Sequence, residues 1–277
     1  MATGALPDSD SDRNESSSAS EPVTMAWRCV SASVRGVSHE RAGTCCQDAH
    51  AWTFLPGGAF GAAVADGAGS AAHSEIGAYT ATSVALKEIE RLVDASGLPD
   101  TADAALELLE EVLRVATGGV ISEADEQGLE PKDLASTLIL ALVTPDRIAV
   151  LQVGDGAVVV QWSDGKLEAI TSPVHGEYIN ETVFLTSLDA ALTAQLAVRE
   201  GEISGVAILT DGLQPIALTG VDNVPHPPFF RPLFQFAASS TNTDASSGEL
   251  GAFLGSPRLA QRTDDDLTLV LAVINES

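Results

Sequence analysis

Between residues 136 and 170 the chain lays down four short apolar runs, "STLILALV", "RIAVLQV", "AVVVQW" and "KLEAI", with only "TPD", "GDG" and "SDG" between them. Connections of three residues leave no room for crossover helices, so these runs are expected to be antiparallel neighbours. "VVVQWSDGKLEAI" puts Asp164-Gly165 at the tip of a hairpin. Ser163 and Lys166 share that tip, so their S-x-x-K spacing carries no acyl-transfer chemistry. Earlier runs, "WRCVSASV", "AHAWTF" and "AFGAAVA", and later ones, "GVAILT" and "LTLVLAVI", also read as strands. Two helices are expected between them. In residues 74–93, Ile76, Tyr79, Leu86, Ile89 and Val93 recur at helical spacing; the next helix carries Ala105, Leu109, Val112 and Ala116, with Asp100 or Thr101 as its cap. Residues 228–262 read as mainly helical and polar-faced. Segregated helices and antiparallel strands point to an α+β sandwich in which helices cover β-sheets.

Residues 1–24 are acidic and Ser-rich with almost no large apolar side chains, a composition that cannot offset the entropy of ordering, so a disordered tail is expected there. Residues 25–277 are expected to form a single domain; 45% apolar content is enough for a large core. Fourteen Lys and Arg stand against 39 Asp and Glu, a formal charge of -25. Such a surface repels nucleic-acid phosphates and anionic membranes, and suits cations or basic protein surfaces. No run of about 18 apolar residues and no basic-then-apolar leader is present, so a cytoplasmic protein is expected. Cys29, Cys45 and Cys46 make an odd count without C-x-x-C spacing; they read as small buried hydrophobes, with no disulfide framework and no cysteine-phosphatase loop.

The chemistry lies in the remaining Asp-Gly pairs. Asp66-Gly67 ends the apolar strand "AFGAAVA" and opens a helix. Gly67-x-Gly69-x-x-Ala72 meets the dinucleotide-binding pattern, but the acidic residues about twenty positions on, Glu88 and Glu90, fall inside a helix rather than at a strand end. Asp211-Gly212 ends a second apolar strand, Asp155-Gly156 joins two more, and Asp264, Asp265 and Asp266 stand at the mouth of the last. Carboxylates about 4 Å apart repel by about 4 kcal/mol at an effective dielectric of 20, so such a cluster persists only with a cation or with protons. Oxygen ligands favour Mg²⁺ or Mn²⁺ over zinc, and the five histidines show no paired zinc spacing.

Taken in order, "CCQDAHAW", "VADGAGSA", "STLILALV" with "LQVGDGAVVV", "AILTDGL" and "DDDLTLVLAV" resemble the motifs of the metal-dependent serine/threonine phosphatases of the protein phosphatase 2C type, over Trp27 to Ile274. "CQDA", "GEYINETVFLT" and "RTDDDLTLVLAV" look most like a bacterial branch. The resemblance implies an α+β fold, a β-sandwich of two mainly antiparallel sheets flanked by helices, with two divalent cations, Mn²⁺ or Mg²⁺, in a cleft at one end. It implies that Asp66 bridges the metals and Gly67 offers its carbonyl to one of them. Asp211 and Asp265 would hold the first metal, Asp265 being chosen over Asp266 because it stands three residues before Thr268. Asp48 would support the second metal, and Asp155 a third, weaker one.

The implied activity is hydrolysis of phosphoserine and phosphothreonine on proteins by in-line attack of a metal-bridging hydroxide, with a phosphoprotein substrate and a cognate Ser/Thr kinase as partners. Departures from the pattern are Gln47 in place of a metal-binding Glu, Gly156 for Ser, Ala68 for His, and Gly43 where the phosphate-binding Arg belongs. Arg35, His39 or Arg41 would take over the phosphate contact, or His39 would serve as a structural hydrogen-bonding residue. Gln47 and Gly43 also leave open a different class of function, a phosphatase-like adaptor that binds phosphoproteins without turning them over.

Overall fold

The computed structural model describes residues 26–171 and 182–275; the expected tail and part of the "GEYINETVFLT" loop lie outside them. The chain begins with β1 (Ala26–Val34), the short helix α1 (Val37–Ala42), β2 (Ala49–Leu55) and β3 (Ala59–Ala65). Two long helices follow, α2 (Ser74–Ser96) and α3 (Ala102–Gln127), the second capped by Thr101 Oγ1, which accepts from Ala104 N at 3.1 Å. The middle of the chain holds β4 (Leu138–Val143), β5 (Arg147–Val153), β6 (Ala157–Trp162) and β7 (Leu167–Thr171). After the one-turn α4 (Ala190–Thr193) come β8 (Gln195–Glu200) and β9 (Ile203–Leu209), then α5 (Gln214–Ala217) and a small ribbon of β10 (Leu218–Thr219) and β11 (Val224–Pro225). The chain closes with α6 (Pro227–Ser239), α7 (Thr243–Leu254), α8 (Pro257–Ala260) and β12 (Leu267–Asn275).

Two five-stranded antiparallel sheets, ordered β1-β12-β9-β6-β7 and β2-β3-β4-β5-β8, face each other. Period-2 alternation explains the layering. In β4, Ile139, Ala141 and Val143 point between the sheets, where they meet Phe60, Val158 and Val270; Leu138, Leu140 and Leu142 point outward onto α2 and α3. On the other outer face Val30, Leu209 and Leu271 pack under α6 and α7 with Phe230 and Phe234. Because both faces of the central strands are covered, those strands read as unbroken apolar runs rather than alternating ones. No helix among the described residues is long and apolar enough to cross a membrane.

The run from residue 136 to 170 is not a single meander. β4–β5 and β6–β7 are hairpin neighbours, with Asp164-Gly165 at the second tip as expected. The connection "GDG" instead carries the chain from β5 in one sheet to β6 in the other. Its glycines show why: Gly154 has φ +102°, and a Cβ there would stand 2.5 Å from Thr137 Cγ2, while one on Gly156 would stand 2.5 Å from Leu209 O. The link is a tight inter-sheet crossing that brings Asp155 to the sheet mouth. β8, which pairs with β5, was not anticipated; as a half-exposed edge strand it lacks the apolar run that marked the others.

Gly154→Ala is expected to lower stability by about 2 kcal/mol, from the left-handed backbone and the displaced Thr137 together. A lower urea midpoint with an unchanged m-value is the expected reading; an unshifted midpoint would show that the crossing tolerates a side chain.

Candidate metal centre

In an antiparallel sandwich the ends of β1, β3, β5 and β9 and the starts of β2, β4, β6 and β12 fall at the same edge. Asp48, Asp66, Asp155, Asp211 and Asp265 all flank those ends. The Asp66 peptide is gripped by the first residue before β4: its N–H donates to Thr137 Oγ1 at 2.8 Å, and its carbonyl accepts from Thr137 N at 2.8 Å. Next to it, Gly67 N donates to Gln47 O at 3.2 Å, and a Cβ on Gly67 would stand 2.8 Å from that oxygen, so only glycine fits. Asp155 is held twice: Thr182 Oγ1 donates to Oδ2 at 2.8 Å, and Gln214 Nε2 donates to its carbonyl. Asp211 opens a one-turn 3-10 helix, Asp211–Leu213. Carboxylate oxygens of Asp66, Asp155 and Asp211 all lie within 4.8 Å of one another.

Asp48 stands behind this trio. Thr210 Oγ1 donates to its Oδ2 at 2.8 Å and also accepts from Thr268 N at 3.0 Å, while Asp48 Oδ1 is buried without an aligned partner. Asp265 lies outside the tight trio, but its charge acts on Asp66 and Asp211. Asp266 faces the other way: its oxygens accept from Gly36 N and Gln47 N, each at 2.6 Å, and the residue is buried. It is a strut joining the β1–α1 corner to the approach of β2, which leaves Asp265 as the outward-facing carboxylate.

The expected phosphate contacts divide three ways. His39 Nδ1 approaches Asp266 Oδ1 to 2.9 Å, a close contact without hydrogen-bond alignment that sets the ring against the Asp266 strut. Arg35 Nη1 donates to Thr44 O at 3.1 Å, and its other terminal nitrogen lies 3.9 Å from Glu40, so it is tied to its own loop. Arg41 is exposed on α1.

Electrostatics confirm the crowding. Burial, then the charges of Asp48, Asp211 and Asp265, push Asp66 far above the ordinary carboxylate range. Burial lifts Asp48 to about 7 against the opposing pull of the nearby Thr268 and Thr210 hydroxyls. Asp211 also rises to about 7, by burial first and then by Asp155 and Asp265. Asp265 is raised by burial. Acceptors this close, with Gln47 Oε1 and Asp48 Oδ1 buried and without a hydrogen-bond partner among the described residues, fit a divalent cation with oxygen ligands.

The cysteines need correction. Cys45 is exposed and Cys46 only partly covered, so Cys29 alone is a fully buried hydrophobe. Cys29 and Arg35 do have the C-x₅-R spacing of a cysteine phosphatase, a match overlooked in the sequence, but they lie along extended chain, which separates their Cα atoms by about 20 Å. Burial raises the Cys29 thiol far above its usual range, and burial with Asp266 and Asp48 does the same to Cys46, so neither offers a thiolate. Thr137, Thr210 and Thr268 carry no assignment from sequence; Thr210 and Thr268 adjoin acidic motifs, which is a signal, whereas Thr137 adjoins none of the site aspartates. Of the dinucleotide pattern, Gly67 packs against Gln47 beside Asp66 while Gly69 faces open space, and Glu88 is paired with Arg91 at 2.6 Å on α2.

Two stacked antiparallel sheets inside helical layers, with a buried carboxylate cluster at one edge, define a sandwich protein built around an acidic cation site. The chain belongs to the protein phosphatase 2C family: a family profile described as "Protein phosphatase 2C" matches residues 35–255. It is 37% identical over 257 residues to the Escherichia coli (strain K12) protein "Serine/threonine-protein phosphatase 3", covering 90% of this chain and 99% of that one. Among solved structures it resembles a "bacterial serine phosphatase" (TM-score 0.62, 16% identity, 90% of this chain and 98% of that one). It also resembles the catalytic domain of the serine threonine protein phosphatase PstP in complex with 2 manganese ions (TM-score 0.59, 19% identity, 91% and 100%). These likenesses bear out the expected sandwich fold.

Raised carboxylates set a pH signature for the metal-free protein. Asp48 and Asp211 bind protons more tightly folded than unfolded, so their stabilising share is full below about pH 4 and is lost as pH rises to about 7. In EDTA the Tm should therefore fall between pH 5 and pH 8, and Mn²⁺ should raise it more at pH 8 than at pH 5. Asp211→Asn should raise the Tm in EDTA at pH 8 and shrink the Mn²⁺ increment. Equal metal increments at both pH values would contradict the site.

Proposed function

We propose that this chain is a Mg²⁺- or Mn²⁺-dependent phosphoprotein phosphatase that hydrolyses phosphoserine and phosphothreonine directly, without a covalent phosphoenzyme. The observation that carries the reading is the convergence of Asp66, Asp155 and Asp211 within 4.8 Å at the ends of separate strands. Two divalent cations would sit there, with Asp66 shared between them and Gly67 offering its carbonyl. Asp211 and Asp265 would complete the first position, Asp48 would support the second, and Asp155 would serve a weaker third. Bound cations supply an acidified water at neutral pH and offset charge on the phosphoryl oxygens. The chain's own part is to hold the carboxylates in place. Thr137 fixes the Asp66 backbone, Thr210 orients Asp48, and Gln214 and Thr182 orient Asp155.

With a Gln at position 47, the second position has one carboxylate fewer than the family pattern supplies, which supports weaker retention of that ion. Of the two arginines, Arg41, exposed on α1, is the better placed to meet a phosphate, since Arg35 is tied to Thr44 and Glu40. A cytoplasmic setting with a cognate Ser/Thr kinase completes the reading.

Phosphate release from a phosphothreonine peptide should need Mn²⁺ or Mg²⁺, stop in EDTA, and fall by about a hundredfold or more in Asp211→Asn, the loss expected when several kcal/mol of charge stabilisation is removed. A folded protein that binds the phosphopeptide but releases no phosphate at any metal concentration would instead establish the adaptor.

A further inference from the structure

A groove of about 680 Å³ lies on the outer helical layer between α6, α7 and α8, with α5 at one end. It belongs to none of the machinery above. Phe229 and Phe236 of α6 and Phe253 of α7 give it an apolar floor and wall, and Phe253 is 40% exposed. Arg258 and Arg262 stand on its rim, both exposed, and among the described residues neither has a carboxylate partner. In a chain with 39 acidic residues against 14 basic ones, two neighbouring unpaired guanidinium groups beside an open aromatic surface are unusual. An aromatic surface next to such a pair fits a segment that is apolar in part and anionic in part.

Two segments that line the groove continue along the chain into the acidic centre. Gln214, which donates to the Asp155 carbonyl, is followed by Pro215, which lines the groove. Arg262 precedes Asp265 by three residues. A chain seated in the groove therefore lies beside both segments that carry metal-site carboxylates. Glu249 lines the α7 side and disfavours an anion there, so the anionic end of the occupant belongs at the arginines.

We propose that this groove docks an extended segment of the phosphoprotein substrate in which aromatic or aliphatic side chains are followed by carboxylates, separate from the phosphorylated residue itself. This rests on the phosphatase reading. Elsewhere the acidic surface repels such a segment, so the two arginines select where it engages. Docking raises the local concentration of the phosphosite at the metal centre, which lowers KM and leaves kcat unchanged.

The test uses the full chain with Mn²⁺ and three substrates: p-nitrophenyl phosphate, a short phosphothreonine peptide, and that peptide joined through Gly-Ser linkers of graded length to a segment of two phenylalanines followed by two aspartates. The extension should lower KM by about tenfold at one or more linker lengths. The double variant Arg258→Glu/Arg262→Glu should abolish that gain and Phe253→Ala should reduce it, with p-nitrophenyl phosphate turnover unchanged in both. Turnover of the short substrates with no gain from any extension, or a gain that survives the arginine reversal, would overturn the proposal while leaving the phosphatase reading intact. A gain that appears only after Asp8, Asp10 and Asp12 are changed to Asn would overturn it in favour of the chain's own acidic N-terminal segment. Absence of all turnover would sink the phosphatase reading, and this proposal with it.

Discussion

The antiparallel register of the two sheets is the constraint from which the centre follows. When neighbouring strands alternate in direction, every second strand end and every intervening strand start fall at one edge. Asp48 and Asp66 flank β2 and β3, Asp155 lies between β5 and β6, and Asp211 and Asp265 flank β9 and β12. Carboxylate oxygens of Asp66, Asp155 and Asp211, far apart in sequence, thus lie within 4.8 Å of one another, because the register that buries Ile139 between the sheets and Leu140 under the helices allows no slip. The sandwich is a means of holding carboxylates where they repel one another.

That repulsion has to be carried by the scaffold. A carboxylate cluster walled off from water favours protonation or cation capture, and the elevated Asp66, Asp48 and Asp211 express this strain. The counterweight is a set of short hydrogen bonds from residues fixed at the strand ends. Thr137 grips the Asp66 backbone and Thr210 bonds to Asp48, while Asp266 takes up the N–H groups of Gly36 and Gln47. Threonine suits these places because its branched side chain packs in a strand while its hydroxyl reaches a neighbouring carboxylate or backbone group. Outward-facing and strut carboxylates are thus separated even when adjacent in sequence, as Asp265 and Asp266 are.

Much of this architecture was legible. The strands around "AFGAAVA", "STLILALV" and "LTLVLAVI", the helices from Ser74 and Ala102, and the hairpin at Asp164-Gly165 all follow from periodicity and turn chemistry, which act over a few residues. Harder to see were features set by partners distant in sequence. The "GDG" link has the length of a hairpin, yet packing of Gly154 on Thr137 and of Gly156 on Leu209 makes it a crossing between sheets. β8 is recognisable only by the edge of β5 that it covers. The spacing of Cys29 and Arg35 suggests a phosphate loop until both are placed along extended chain, where neither can turn to meet the other.

By itself the sequence determined which donor types are on offer: Asp-Gly motifs rich in carboxylate oxygen, without paired histidine spacing, suit a hard cation better than zinc. It also determined that no crossover helix separates the strands of the middle run, because three-residue links leave no room for one. Only the tertiary structure decided which of those aspartates converge, that Asp266 is a strut and Asp265 is not, and that Arg35 and His39 are engaged while Arg41 stands open. Such assignments depend on distance and burial between segments far apart in sequence, and local propensity carries no information about either.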